Sequence, residues 1–212
     1  MERTSRADAR RTQILEAFTI CAEREGIHNA SIRKIADQAG VRPGLIHYYF
    51  MDRDELIREL VVSTAESHIQ NFKMHVSGAR TPRNRFRRAA DFLFGPELMG
   101  AHNGSLFYDL WSEAKRNEVV RNSLVMVYSL FRQTILDLLE DTGRLANMSA
   151  EQAHDLACVI IALYEGIYLQ WDFDRDHVDL ARLKATAVDM IDAYFLQSAS
   201  RPRRTQQLQE IR

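Results

Sequence analysis

The sequence predicts an all-α protein of about nine helices, the second and third of them short. Three observations lead there. Glycine (9) and proline (4) are scarce among 212 residues, too few for a turn-rich β fold. Apolar residues recur at three- and four-residue spacing through most of the chain, with no alternation of period two. The breakers that do occur, Gly26, Gly40, Gly78, Gly95-Pro96 and Gly143, fall between these runs. No internal repeat or low-complexity run interrupts the pattern.

Taken in order, residues 1–12 are polar, with Arg3, Arg6, Arg10 and Arg11 against Glu2 and Asp8, and read as a flexible basic arm. A helix over about 8–25 follows from the spacing of Ile14, Leu15, Phe18, Cys21 and Ala22, and Gly26 stops it. Ser31 caps a short helix over 31–38 that Gly40 ends, and Pro43 suits the first turn of another over 42–49. Asp52 caps a long helix over 53–76. Gly78 and Thr81-Pro82 then break the chain and read as a linker between two functional parts. Further helices are expected over about 83–94, 103–115, 117–141, 149–171 and 177–197, with Ser149 and Gln152 forming a capping box. The tail 198–212, with Arg201, Arg203 and Arg204, reads as frayed. The functional division expected is 1–52, then 53–197 with 53–76 as a connecting helix, then the tail.

A net charge of −1 excludes a generic basic nucleic-acid coat protein, so any DNA binding must come from a local patch. The first residues lack the apolar core of a signal peptide. The most apolar stretch, Leu156 to Trp171, contains Glu165 and Gln170 and is shorter than the ~20 residues of a membrane span. A cytoplasmic protein is expected. Cys21 and Cys158 fit no metal or disulfide framework and read as small buried hydrophobes.

Two helices of about eight residues joined by a four-residue turn make a helix-turn-helix candidate. Ala36 is small where the helices must cross closely, and Gly40 stands where the turn wants a positive φ. Ile32, Ile35, Val41 and Ile46 form the inner face. The outward face carries Arg42, Pro43, Gly44, Leu45, His47, Tyr48 and Tyr49. Gly44 lets backbone approach a base or phosphate, and Leu45 can meet a thymine methyl. His47, Tyr49 and Arg53 can hydrogen-bond phosphates, and main-chain N–H groups near Ser31 and Arg42 add an anion site. Arg33 and Lys34 open the second helix, which would cross the DNA backbone. Between 31 and 53, Arg33, Lys34, Arg42 and Arg53 stand against Asp37 and Asp52, a positive balance in a near-neutral chain. The alternative is a plain helical hairpin with its aromatics in a core.

The run from Ser31 through Ile-Arg-Lys-Ile-Ala-Asp-Gln-Ala-Gly-Val-Arg-Pro-Gly-Leu-Ile-His-Tyr-Tyr to Phe50, followed by Met-Asp-Arg-Asp-Glu-Leu56, closely resembles the DNA-binding signature of the TetR family. The likeness covers about residues 8–60. It implies a helix-turn-helix after one long helix, with the family's aromatic-rich end matched by His47, Tyr48, Tyr49 and Phe50, and its basic residue after that end matched by Arg53. Phe50 reads as an inward anchor against the first helix. His47 stands where the family most often has tyrosine, and Arg42-Pro43 where serine with lysine or arginine is common. The likeness implies an all-helical dimer that binds a palindromic operator and is released by a small apolar or amphipathic effector. Repression is the family habit.

The C-terminal half is similar in layout, with a fainter likeness to the subgroup typified by the choline-responsive BetI regulators. That likeness rests on Leu106-Phe-Tyr-Asp-Leu-Trp-Ser-Glu-Ala-Lys-Arg116 and Glu165-Gly-Ile-Tyr-Leu-Gln-Trp-Asp-Phe173, and it concerns scaffold. Helix 149–171 is apolar on two sides, through Leu156, Ile160, Leu163 and Ile167 and through Ala157, Ile161, Tyr164, Tyr168 and Trp171, so it must be covered twice. With Leu183, Met190, Ile191 and Tyr194 of the last helix, the first stripe is expected to form the dimer interface, beside Leu180 and Ala187. Aromatic and Met residues gather at Phe86, Phe92, Phe94, Met99, Phe107 and Trp111 and again at Tyr128, Phe131, Tyr164, Tyr168 and Trp171. From these, an effector pocket is expected of Phe86, Phe107, Trp111, Tyr128, Phe131, Tyr164, Tyr168 and Trp171, where Asp109 or Glu165 could hold a cation. The alternative for each aromatic is core packing.

An enzyme is disfavoured. The seven histidines form no His-x-x-x-His pair, and no phosphate loop, dinucleotide fingerprint or nucleophile elbow appears, so no metal or cofactor is expected. A helical protein whose hairpin binds another protein is the second rival, and it would show no salt-dependent DNA binding.

Overall fold

A computed structural model describes residues 6–95 and 104–200. Nine helices are present there, and no strand: α1 (Arg6–Glu25), α2 (Ile32–Ala39), α3 (Pro43–Tyr49), α4 (Arg53–Ser77), α5 (Pro82–Leu93), α6 (Gly104–Ala114), α7 (Glu118–Asp141), α8 (Ala150–Phe173) and α9 (Leu180–Ser200). The all-helical expectation holds, and the boundaries move where the caps differ from those the sequence suggests. The expected basic arm is largely helix, because α1 starts at Arg6 and carries Arg10 and Arg11 in its first two turns. Pro82 lies inside α5, with the Thr81 hydroxyl accepting from the Asn84 amide at 3.2 Å as the cap. α9 starts three residues later than expected because Asp179 caps it, through Oδ1 accepting from the Arg182 amide at 3.0 Å. The Ser149–Gln152 capping box closes both of its hydrogen bonds. Met99 and residues 201–212 lie outside the described residues.

The chain divides into two compact units, Met1–Asn71 with Gly100–Leu130, and Phe72–Met99 with Phe131–Arg212. The division falls inside the continuous helices α4 and α7, away from the break at 78–82. In the first unit α1 packs on α2, and α2 on α3. Ile14 and Phe18 of α1, Ile35 and Ala36 of α2, Ile46 of α3 and Leu56 of α4 are each at most 1% exposed. Burying such a branched or aromatic side chain stabilises the fold by about 2 kcal/mol. That burial matters most for α2 and α3, because helices of eight and seven residues are too short to persist alone. α6 packs on α1. Its Asp109 carboxylate accepts from the Ile27 amide at 3.1 Å, which ties α6 to the turn after α1.

In the second unit Phe72, Val76, Ala89 and Leu138 form a core, with Phe92 and Leu93 packed against it. Arg144 follows Gly143, whose φ is 71°. Its guanidinium lies 3.8 Å from the Phe86 ring centroid and 4.6 Å from that of Phe195, and donates to Asp192 at 2.7 Å. One side chain thereby ties the turn after α7 to α5 and α9. A Lys184–Asp91 ion pair joins α9 to α5 a second time. α8 extends to Phe173 and is long and apolar enough, by length and composition, to cross a membrane, which corrects the shorter stretch read from sequence. It is a core helix here, burying Leu156, Ala157, Ile160, Ile161 and Ile167 among others.

Gly40 ends α2 with φ 64°, its amide pointing back to Ala36 and Asp37, and a Cβ there would meet nothing within 4 Å. Gly44 is equally open but sits in α3 without a positive φ. The same substitution should therefore act in opposite directions. Gly40→Ala is expected to lower stability by about 1 kcal/mol through left-handed strain, and Gly44→Ala to raise it by about 0.5 kcal/mol through helix propensity. Urea denaturation of both variants at unchanged m-value checks the pair.

Candidate nucleic-acid interface

The helix-turn-helix geometry follows from the turn. The Val41 amide reaches the Ala36 carbonyl at 2.9 Å and the Gly40 amide the Asp37 carbonyl at 3.2 Å, which closes the end of α2 and turns the chain into α3. Arg42 is the N-cap of α3 in extended conformation, and Pro43 occupies the first turn. Ile46 and Phe50 face inward, each 1% exposed, which leaves Arg42, Pro43, Gly44, His47 and Tyr48 on the outside. Leu45 and Tyr49 are half-buried, and the Tyr48 and Tyr49 rings meet edge to face at 5.1 Å.

The basic residues fall into two groups. Arg33 and Arg42 are exposed, and among the described residues neither has a hydrogen-bond or ion partner. The others are committed inside the protein. Lys34 pairs with Glu25 and donates to the Asn29 carbonyl at 3.1 Å. Ser31 caps α2, its hydroxyl accepting from the Lys34 amide at 3.4 Å. Arg53 gives one guanidinium nitrogen to the Ala30 carbonyl at 2.8 Å and another to the Ile27 carbonyl, with its Cζ 6.0 Å from the Phe18 ring centroid. It holds the loop before α2 against the start of α4. Its signal in the sequence is a positive charge, which does not say whether a phosphate or a carbonyl receives it.

Sequence reading missed Arg11. It donates to the Tyr49 carbonyl at 2.6 Å, lies 3.0 Å from Glu59, and stacks 4.5 Å from the Phe50 ring centroid. The clue was its register, since it lies on the apolar face of α1 with Ile14, Leu15 and Phe18.

Of the residues expected around an effector, Phe86 lies beside a cavity and the other described ones have different neighbours. A cavity in the second unit is bounded by α5, α7, α8 and α9, through residues such as Phe86, Leu93, Phe94, Leu139, Ile160 and Ile191. Its volume is about 20 Å³, and no charged or hydrogen-bonding side chain lines it. Of the eight expected residues only Phe86 borders it. Tyr168 pairs with Trp171 at 6.4 Å, and Arg175 stacks on Trp171 at 4.4 Å. Phe131 and Tyr164 are half-buried outside its lining. Trp111 donates to the Tyr128 hydroxyl at 3.0 Å in the first unit. The side chain of Phe107 lies outside the described residues. The residues lining this cavity belong to ordinary apolar stripes and carry no distinguishing sequence signal.

Of the expected dimer stripe, Leu156, Ile160, Ile167 and Ile191 are buried within the chain itself. Leu163, Leu183 and Tyr194 are half-buried and Met190 is exposed. The large apolar side chains exposed on α8 and α9 are Val159, Leu169, Phe173, Met190 and Leu196. Cys21 is buried, as read from sequence, with burial pushing its thiol above the ordinary range; Cys158 is only half-buried. Among the described residues no three His, Cys, Asp or Glu side chains gather where they could hold a metal.

Two family models match. Residues 14–60 fit the bacterial regulatory proteins of the tetR family, and residues 82–196 the C-terminal part of BetI-type transcriptional repressors. The HTH-type transcriptional regulator BetI of Rhizobium meliloti (strain 1021) is 23% identical over 195 residues, 92% of this chain and 94% of that protein. The nicotine-responsive transcriptional repressor HdnoR of Paenarthrobacter nicotinovorans is 25% identical over 186 residues, covering 88% and 94%. A putative transcriptional regulator from Pseudomonas aeruginosa PAO1 superposes with a TM-score of 0.78 at 20% identity, covering 91% of this chain and 93% of that one. A putative regulator from Saccharomonospora viridis in complex with choline gives 0.68 at 22% identity, covering 86% and 95%. These likenesses establish the fold.

One electrostatic consequence is measurable. The Glu25 carboxyl is held below its ordinary range, first by the hydrogen bond from Lys34 and then by that from Arg24. A folded value below the unfolded one adds stability above the ordinary glutamate range, and that contribution is lost as pH falls through the depressed value. Wild type should therefore be more stable than Glu25→Gln at neutral pH, and thermal unfolding of the two should converge as pH falls below the ordinary glutamate range.

Proposed function

The chain belongs to the tetR family of bacterial regulatory proteins, with a C-terminal half of the BetI repressor type, and we propose that it is a cytoplasmic repressor that binds a palindromic operator as a dimer and leaves it when a small apolar or amphipathic molecule binds. In this reading residues 1–52 read DNA and 53–197 sense and dimerise. The observation that carries it is the outward face of α2 and α3: two uncommitted arginines, Arg33 and Arg42, beside Gly44, His47 and Tyr48, on a hairpin whose other side is fully buried.

Arg33 and Arg42 supply phosphate contacts, with Ser31, Lys34, Tyr49 and Arg53 nearby as secondary groups whose first partners are internal. Pro43, Gly44, Leu45, His47 and Tyr48 face the groove and set base choice. The dimer forms over Val159, Leu169, Phe173, Met190 and Leu196, joined by Leu163, Leu183 and Tyr194 as they become covered. This exposed stripe on two successive helices supports a symmetric four-helix contact, since large apolar side chains left in water favour a partner. Two heads so related meet half-sites one turn apart, ~34–36 Å. The effector acts by binding more tightly to a conformer whose heads no longer fit that spacing. Relatives and structural neighbours are named for choline, nicotine or stearoyl-CoA. These differ too much in charge and size to fix one effector class.

Selection from a random duplex library, followed by titration of the winners at several salt concentrations, tests the reading. An inverted repeat with a steep negative salt slope is expected; no enrichment would sink it. Arg42→Ala should weaken binding to any duplex and reduce the slope by about one for each phosphate it no longer neutralises. Gly44→Ala should bind its operator less tightly while folding more stably. Met190→Arg should sediment as a monomer and lose the inverted-repeat preference; an intact dimer would place the interface elsewhere.

A further inference from the structure

α3 has seven residues, so most of its carbonyls have no partner within the helix. One of them, at Tyr49, accepts from Arg11 Nη1 at 2.6 Å. The same guanidinium sits over the Phe50 ring, 4.5 Å from its centroid, and Phe50 is the residue that ends α3. On its other side Nη2 sits 3.0 Å from Glu59 Oε2 and 3.9 Å from Glu55 Oε1, both on α4. Glu55 is itself anchored, accepting from the Met51 amide at 2.6 Å. Arg11 is thus the point where α1, the end of α3 and the start of α4 converge on one planar group. Its side chain is about one-third exposed, and its charge is answered by two carboxylates and a helix C-terminus.

We propose that Arg11 is the positioning residue for base reading: it fixes the angle at which α3 leaves the protein, and it does not itself hold a phosphate. The inference rests on α3 being the DNA-reading helix. The fork and the plane are both in use, so lysine cannot replace arginine: an ammonium offers a point charge with neither stacking surface nor paired donors. A small tilt of α3 would leave the phosphate contacts of Arg33 and Arg42 largely intact and spoil the alignment of side chains with base edges.

The test compares the selected operator with a scrambled duplex of equal length, each titrated over several salt concentrations, for wild type, Arg11→Lys, Arg11→Met and Glu59→Gln. Both Arg11 variants should lose about tenfold in operator affinity, the size of one charged hydrogen bond. Affinity and salt slope on the scrambled duplex should stay at wild-type values. Glu59→Gln, which leaves Arg11 in place with a weaker hold, should lose less on the operator and nothing on the scrambled duplex. Amide exchange at residues 46–50 should quicken in Arg11→Lys while that of α2 holds, and this readout stands even if Arg11→Met fails to fold. Equal loss on both duplexes with a slope smaller by about one would make Arg11 a phosphate contact and overturn the proposal. Unchanged operator affinity in Arg11→Lys, with wild type reading its sequence, would overturn it too. A wild type that selects no sequence would instead defeat the function on which it rests.

Discussion

A helix of seven residues cannot hold itself, and everything the first unit can do with DNA depends on how α3 is held from outside. Two kinds of support act. Ile46 and Phe50 drive one side into the core, each fully buried, while Arg11 satisfies the exposed end of the main chain at Tyr49. Hydrophobic burial is strong but non-directional: it keeps α3 in place without fixing its angle. The hydrogen bond and the stacked guanidinium are weaker, and they are directional. The turn at Gly40 supplies the third constraint, because its left-handed φ sets where the chain re-enters as α3. Position therefore comes from the core, and orientation from one glycine and one arginine.

Much of this is legible in the sequence. Helical periodicity, Gly40, Pro43, the Ser149 capping box and the inward Phe50 all rest on local chemistry, and the structure places them as read. The failures share a cause, which is that local chemistry does not say which neighbour a side chain will meet. The sequence places the start of the last helix at 177, and only the hydrogen bond from the Arg182 amide to Asp179 moves it to Leu180. Helix α8 is apolar on several sides, so choosing which stripe turns inward needs the neighbouring helices; Leu156 and Ile160 are inside while Val159, Leu169 and Phe173 are outside. Aromatic residues close in sequence suggest a pocket, yet the cavity is bordered mostly by aliphatic residues with no chemical signature. Arg53 reads in sequence as a charge facing phosphate and Arg11 as part of a flexible arm, whereas both spend donors on carbonyls of their own chain.

Those internal commitments alter the electrostatic picture of the DNA-reading surface. Of the basic residues around the hairpin, Lys34 is neutralised by Glu25 and Arg11 by Glu59. Only cations without an internal partner release counterions in full when they meet phosphate, so the sequence-independent part of binding should rest on few residues per head. In the proposed mode of binding, a chain of net charge −1 arranged this way leaves discrimination to base contacts and to the pairing of two heads. This makes the orientation of α3 more consequential than its charge.

The cavity of the second unit bears on how an effector would act. A space of about 20 Å³ holds little more than one water, whereas organic ligands occupy pockets of several hundred. A ligand that enters here must open the packing of α5, α7, α8 and α9, separating contacts such as Phe86 and Ile191 from their neighbours. Arg144 sits beside that opening, stacked on Phe86 and Phe195 and paired with Asp192. Its contacts tie α5 to α9, so they oppose the separation a ligand needs. Any widening of this space therefore works against the Arg144 contacts as well as against apolar packing.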